Sequence, residues 1–419
     1  MCLTAPSRTA SLTGFGGIGK TSIAMHYARE NQSEYAAILT VSLEGSSTAR
    51  LNLSDSLISF LKSNPNFIKS NPNWLNDNPT GSEREKIIAL LIDICLFFRG
   101  QILIIIDDVP FRNAAQARRS QADKFFSIIF PNNKIKKQLP FELVNRVHFL
   151  FTSRRPILIK KITNIPIKPM SKIDALALFI SRFPDNNASD EEILKLVSKV
   201  LGRHPLSIVL VAAYAKNQKI SSVSEIRLRL KPCILEAKEI SKSSLPEYPS
   251  SLIASLNLSY SVLNNVEKAL LLTLSMFRRD KLNFNTIRQA CRKIDSFNTP
   301  TTAANLRRVL ASNKGDVAAK NQLCKLGLLE THLRKEHEAS SVQYRLHEII
   351  FDYAQHLWVT TPQGEFYDSL RKLEIELTKG ACKVVSAHVE TKKLDFLDLE
   401  TLVGLLIPIS NPSRGLARQ

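Results

Sequence analysis

GFGGIGKT at residues 14–21, entered from ASLTGF at 10–15 and left through KTSIAMHYARE at 20–30, decides the fold. Gly14, Gly16, Gly17 and Gly19 let successive backbone N–H groups turn inward around an anion, where a side chain would block close approach. The spacing GxxxxGK[ST] between a short strand and a helix adds a cation, Lys20, a hydroxyl, Thr21, and the positive end of the helix. The segment therefore predicts a phosphate cradle of the P-loop kind. In it Gly14, Gly16, Gly17, Ile18, Gly19 and Ser22 line the anion, Lys20 neutralises β- and γ-phosphate oxygens, and Thr21 ligates magnesium.

A cradle of this kind needs a carboxylate for the metal, and QILIIIDD at 101–108 supplies one. Its continuous apolar run reads as a buried parallel strand that delivers Asp107 and Asp108 to the carboxyl end, where ligands of open α/β sheets bind. Asp107 is the candidate magnesium residue, and Asp108 the candidate that orients water or acts as base. VHFLFTSR at 147–154 is a second such strand, ending in Thr152, Ser153, Arg154 and Arg155. Arg154 there is placed to read a γ-phosphate through paired hydrogen bonds. With a further strand at 36–43, the pattern predicts an α/β P-loop NTPase domain over 1–167, a parallel sheet flanked by helices. Residues 63–82, rich in Asn, Pro and Ser, read as a loop, with Ser82 capping the helix that follows.

After residue 170 helices take over. SKIDALALFISRF at 171–183 and EEILKLVSKVLG at 191–202 are bounded by a serine cap and a glycine stop, and HPLSIVLVAAYAKNQ continues the helical character. SKSSLPEYPSS at 241–251 reads as a linker. Helices at 251–263 and 266–277 then lead through NFNTIRQACRK and AAKNQLCKLGLLETHL to a polar turn, RKEHEASS, and to VQYRLHEIIFDYAQHL. Helices followed by strand, polar wing and strand suggest a winged helix. The expected organisation is thus a helical domain over 168–245, a winged-helix domain over 246–360, and a helical tail over 361–419, with no internal repeat.

Composition limits the alternatives. Of 419 residues 44% are hydrophobic and 23% charged, a globular mixture. The six cysteines form no CxxC pair, so neither a zinc site nor a disulfide framework is signalled, and a reducing compartment is expected. The first residues lack a secretory pattern, and the apolar runs fall short of the roughly 20 residues that span a bilayer. A cytoplasmic protein is expected. The 57 Lys and Arg against 38 Asp and Glu give +19, a field that attracts polyanions, although the basic residues are dispersed along the chain.

The order of these motifs resembles the NB-ARC nucleotide switches of the STAND class, which include plant disease-resistance proteins, apoptosome scaffold proteins and bacterial relatives. LGRHPLSIVLVAAY at 201–214 is similar to the family's GLPLA motif, and SLNLSYSVLNNVEKALLLTLSMF at 255–277 to the helical segment opening its winged helix. YRLHEIIFDYA at 344–354 resembles the segment holding its MHD motif, so the similarity runs from about 14 to 357. The resemblance implies that Pro205 packs near the nucleoside and that His347 hydrogen-bonds the β-phosphate of ADP. It implies ADP or ATP with Mg2+ as cofactors. ADP would hold a closed form, exchange for ATP would open it for assembly with protein partners or further copies in defence-type signalling, and slow hydrolysis would act as a timer.

Departures from the family pattern are Glu348 in place of the MHD aspartate, and a long connection at 109–145 containing RRSQADKFFSIIFPNNKIKK. With residues 1–13 alone ahead of Gly14 and no repeats after the MHD-like segment, the expectation is a switch core without its sensor or effector. The competing reading is a nucleic-acid-binding regulator, a STAND activator or AAA+ initiator-type ATPase that uses the winged helix on DNA. The +19 charge favours it, whereas Gly202-x-x-Pro205 and His347 favour the switch.

Overall fold

The computed structural model describes residues 8–42, 49–74, 82–109, 145–159, 162–184, 187–220, 222–277, 282, 284–292, 315–336, 339–360, 368 and 379. The basic stretch at 118–137 and nearly all of the predicted tail at 361–419 lie outside them. The chain divides into two compact units, Met1–Lys168 and Pro169–Gln419.

The first unit is built on β1 (Thr9–Thr13), β2 (Ala37–Ser42), β3 (Ile102–Val109), β4 (Val147–Ser153) and β5 (Thr163–Pro166). They form one sheet in the order β2-β3-β4-β1-β5, with every pair parallel. The connections are helical: α1 (Lys20–Glu30) follows β1, and α2 (Ala49–Lys62), α3 (Pro65–Ser70) and α4 (Glu83–Phe97) lie between β2 and β3. Alternation along β3 sorts the two faces. Ile102, Ile104 and Ile106 pack with Leu53, Leu57 and Leu61 of α2 and with Ile87, Leu90 and Ile94 of α4. Leu103 and Ile105 pack with Ala24, Tyr27 and Ala28 of α1. All five β3 residues from Ile102 to Ile106 are fully buried, which is why this strand reads as an unbroken apolar run. The chain leaves β1 toward β2 on one side and leaves β4 toward β5 on the other. The carboxyl ends of the neighbours β1 and β4 thus flank a topological switch point.

Two local features depart from the sequence reading. The Asn/Pro-rich segment contains α3, because Asn64 accepts from the Phe67 N–H at 3.1 Å and Pro65 occupies the first helical turn, where its missing donor costs nothing. Trp74 completes that segment by packing edge-on against Phe67, with ring centroids 5.1 Å apart, and donating to Asp93 Oδ2 at 2.9 Å. The short β5 has no apolar run to mark it, being an edge strand half exposed along its length and ending on Pro166, a residue edges tolerate.

The second unit contains α5 (Lys172–Arg182), α6 (Asp190–Lys195) running into a π-helical turn at Leu196–Val200, α7 (Pro205–Asn217), α8 (Val223–Ser243) and α9 (Ser250–Ser261). Then come α10 (Asn265–Leu274), α11 (Phe284–Arg292), α12 (Gly315–Lys325), the antiparallel hairpin β6 (Glu330–Glu336) and β7 (Ala339–Arg345), and α13 (Glu348–Thr360). The predicted linker shortens to the turn after Ser243, where Ser241 donates to the Tyr248 carbonyl at 2.9 Å and Tyr248 is buried. A single core runs through the unit and includes Phe179, Tyr214, Leu252, Phe277, Leu323 and Tyr353. Leu282 forms an isolated antiparallel bridge with Tyr344 of β7.

At the opposite edge of the sheet from the carboxyl ends, the Tyr27 and Tyr35 hydroxyls share a hydrogen bond of 3.1 Å, and Tyr35 shares another of 3.1 Å with His148 Nδ1. Burial, aided by the Arg8 charge and opposed by Glu34, pushes the His148 imidazole below its ordinary value. The fold therefore favours the neutral ring. This contribution is intact above about pH 6.5 and is lost as pH falls below it, where the unfolded chain takes up the proton first. Thermal melts should show His148→Gln flattening, relative to the parent, the decline of Tm between about pH 7 and about pH 5. Burial pushes His356 in the same direction, so a residual slope remains. An unaltered slope in the variant would contradict the assignment.

Candidate functional site

β1 ends at Thr13, and the chain turns through Gly14 with φ 151° before α1 begins at Lys20. A Cβ at Gly14 would stand 3.3 Å from the Ile167 carbonyl oxygen and 3.3 Å from Ile18 Cγ2, so the loop needs glycine there for space as well as backbone angle. Gly19, at φ 98°, caps α1, and its carbonyl accepts the first helical bond from Ile23 at 2.9 Å. Ile18 is buried beneath the loop, whereas Phe15 and Ser22 are exposed. The loop is thereby pinned from below by an apolar side chain, with its backbone wrapped around the start of α1. This arrangement suits an anion facing N–H groups and a helix N-terminus.

Lys20 Nζ donates to the carbonyls of Gly14 and Phe15, both at 3.0 Å. Two of its three donors thus hold the ammonium against the first turn of the loop. One residue on, Thr21 Oγ1 donates to Asp107 Oδ1 at 2.7 Å. This contact joins residues 86 apart in sequence across an intervening strand, since β4 lies between β1 and β3. A hydroxyl and a carboxylate facing each other beside a phosphate cradle form an oxygen donor set that suits a hard cation completed by phosphate oxygens and water. Among the described residues, no group of three or more His, Cys, Asp or Glu side chains converges.

The two aspartates do not simply alternate along β3. Ile106 pairs with Phe151 and Val109 with Ser153, so β3 carries one residue more than β4 over this interval, a β-bulge. Asp108 sits in the bulge at φ 55°. The extra residue restores Val109 to the face of Ile102, Ile104 and Ile106, where it packs in the same core. Asp107, buried to 7% exposure, remains on the face of α1, beside Thr21. Left-handed backbone is uncommon for a side chain other than glycine, but aspartate tolerates it better than most.

Thr152, not singled out from the sequence as a ligand-site residue, lies at the centre of this arrangement. Its Oγ1 accepts the Asp108 N–H at 2.8 Å and donates to Asp107 Oδ1 at 2.5 Å, and the residue is 1% exposed. The clue available in sequence was a threonine at the end of a buried strand, where a hydroxyl needs partners. Next to it, the Ser153 carbonyl accepts the Gly14 N–H at 3.3 Å, and Ser153 Oγ donates to the Arg155 carbonyl at 2.5 Å. Arg154 follows directly, half-buried at the same edge of the sheet. The carboxyl ends of β1, β3 and β4 therefore bring residues 14–22, Asp107, Asp108 and Arg154 into one region.

Pro205 and His347 belong to the second unit. Gly202 and Arg203 are both left-handed, at φ 62° and 56°, and turn the chain into α7. Buried His204 caps α7, and Pro205 occupies its first turn. His347 stands at the start of α13 rather than on its face. Its Nδ1 accepts from the Ile349 N–H at 3.3 Å and its carbonyl from the Phe351 N–H at 3.0 Å, the bonding of a helix cap.

No protein-family profile and no curated protein matches the chain. Among solved structures, a STAND protein with a tetratricopeptide repeat sensor from Pyrococcus horikoshii aligns over 97% of this chain at 18% identity and a TM-score of 0.48. The chain spans about half of that protein, 52% of its length. The Aeropyrum pernix ORC1 protein in complex with DNA aligns over 84% of this chain and 86% of its own, at 14% identity and a TM-score of 0.30. Drosophila ORC bound to DNA aligns over 84% and 90%, at 13% identity and a TM-score of 0.29. These likenesses are loose. The five-stranded parallel sheet flanked by helices fits a P-loop NTPase domain on its own strand order and loop geometry.

The bulge generates a prediction about stability. Glycine at position 108 accepts φ 55° without strain, whereas a β-branched residue does not. In urea unfolding, Asp108→Gly should match or exceed the parent, and Asp108→Val should lose about 1–3 kcal/mol. Equal stability of the two variants would show that the left-handed bulge is not present in solution.

Proposed function

We propose that this chain is an ADP/ATP-binding switch of the NB-ARC type. The observation that supports it most is the meeting of Thr21 with Asp107 beside a glycine loop whose lysine is held in place by the loop's own carbonyls. In this reading the backbone of Gly14, Gly16, Gly17, Ile18 and Gly19, with Ser22, surrounds the phosphates. Lys20 balances β- and γ-phosphate charge. Thr21 and Asp107 would hold Mg2+, which when bound screens the phosphate oxygens. Asp108 orients water for a slow hydrolysis that times the switch, and Arg154 reads the γ-phosphate.

Residues 168–245 then act as the helical domain carrying Pro205, and residues 246–360 as the winged helix carrying His347. The antiparallel bridge from Leu282 to β7, ahead of α11, α12 and the β6–β7 hairpin, supports the winged-helix assignment. ADP on His347 would hold the closed form. Exchange for ATP would release it and permit assembly with protein partners or further copies, which requires the two nucleotides to bind the two arrangements with different affinity.

The alternative, a regulator that places the winged helix on nucleic acid, draws on the charge of +19. One feature of α12 weighs against it. Lys320 is buried, its ammonium 4.5 Å from the Phe284 ring centroid and 5.2 Å from that of Tyr344. A lysine committed to two aromatic rings offers little charge to a phosphate backbone.

The chain purified without added nucleotide should release ADP on denaturation, identifiable by chromatography. Lys20→Ala should lose that ADP and bind added Mg-ADP about a hundredfold more weakly, as expected for losing charged hydrogen bonds. Wild-type protein that neither carries nor binds ADP or ATP would overturn the proposal.

A further inference from the structure

We propose that Thr152 is a positioning residue for the metal, fixing the Asp107 carboxylate that, with Thr21, would hold the cation. The inference rests on the magnesium reading of Thr21 and Asp107 and assigns a third residue to the same site. A threonine hydroxyl has one proton and two lone pairs. Thr152 commits its proton to Asp107 Oδ1 and one lone pair to the Asp108 N–H, at 2.5 and 2.8 Å. The amide it accepts from belongs to the left-handed bulge residue, which β4 does not serve in the regular ladder. With both ends engaged, with χ1 restricted by β-branching and with 1% exposure, the hydroxyl has nowhere to turn.

Thr21 differs. Its hydroxyl also donates to Asp107 Oδ1, at 2.7 Å, but it lies in the first turn of α1 and is half-buried. A lone pair of the same oxygen can meet a cation while the proton stays on Asp107, so Thr21 would serve metal and carboxylate at once. Thr152 has no such second task, and it holds Asp107 from the buried end of β4. Its neighbour Ser153 accepts the Gly14 N–H through its carbonyl, so the last two residues of β4 hold the carboxylate and the phosphate loop together. Ordering a metal ligand through a neighbouring hydrogen bond is a general device, and its loss is felt in metal affinity.

The test separates metal-dependent from metal-independent binding in the full chain. Affinity for a fluorescent ADP analogue is measured in Mg2+ and in EDTA for wild type, Thr152→Val and Thr152→Ser. Thr152→Val keeps the shape and removes the hydroxyl. It should cut the ratio of affinities in Mg2+ and EDTA about tenfold while leaving EDTA affinity within about twofold. Thr152→Ser should retain the wild-type ratio within about twofold. Should the valine variant fail to fold, Thr152→Ala removes the same hydroxyl without adding a methyl beside Asp107. An unchanged ratio in the hydroxyl-free variants, or equal weakening with and without metal, would overturn the proposal. Wild-type protein that binds no ADP would overturn the nucleotide-switch reading itself and this inference with it.

Discussion

The hydrogen bond between Thr21 and Asp107 is the contact on which the site depends, because it closes a circuit that strand order would otherwise leave open. β1 and β3 are not neighbours, and β4 stands between them. β4 ends level with both, so the phosphate loop at the end of β1 and the carboxylate at the end of β3 meet across its last residues, which must be small and polar. Thr152 and Ser153 meet that requirement, one bonded to Asp107 and Asp108 and the other to Gly14. A bulky apolar pair at these positions would remove the hydroxyl that accepts the part-buried Asp108 N–H, at a cost of roughly 1–3 kcal/mol, before any effect on ligand binding.

Much of this was legible in the sequence because its signals are local. The glycine loop needs backbone freedom, and that need fixes residue type at known spacing. The Ile102–Ile106 run needs burial on both faces, and that need fixes hydropathy. In α2 the helical spacing of Leu53, Leu57 and Leu61 is masked by Ser54, Asp55, Ser56 and Ser59 between them, which resemble loop composition. The reading of α3 as loop took Asn and Pro as breakers where their position made them a cap and a first turn. The bulge at Asp108 was beyond sequence reasoning for a different reason. It is a relation between two strands 44 residues apart, with no local marker other than an aspartate that tolerates left-handed backbone.

The second unit illustrates the same division. Proline in the first turn of α7 and the glycine stop before it follow from local rules, and both are present. His347 is a cap, and its ring nitrogen serves the backbone of α13. That bond constrains the ring by committing Nδ1 as an acceptor. Burial of Lys320 against Phe284 and Tyr344 likewise turns a basic residue of α12 from a surface charge into a packing element. Net charge alone is therefore a poor guide to what this unit contacts.

The account stands on the loop at 14–21 reading phosphates rather than serving as a glycine-rich turn. Calorimetric titration in Mg2+ of the nucleotide-free chain with ADP and with AMP tests this most directly, because the two share base and sugar and differ by the β-phosphate. The account predicts saturable ADP binding at one site, at least about a hundredfold tighter than AMP, from the charged hydrogen bonds the second phosphate gains. Equal affinity for the two, or binding of neither by folded protein, would contradict it.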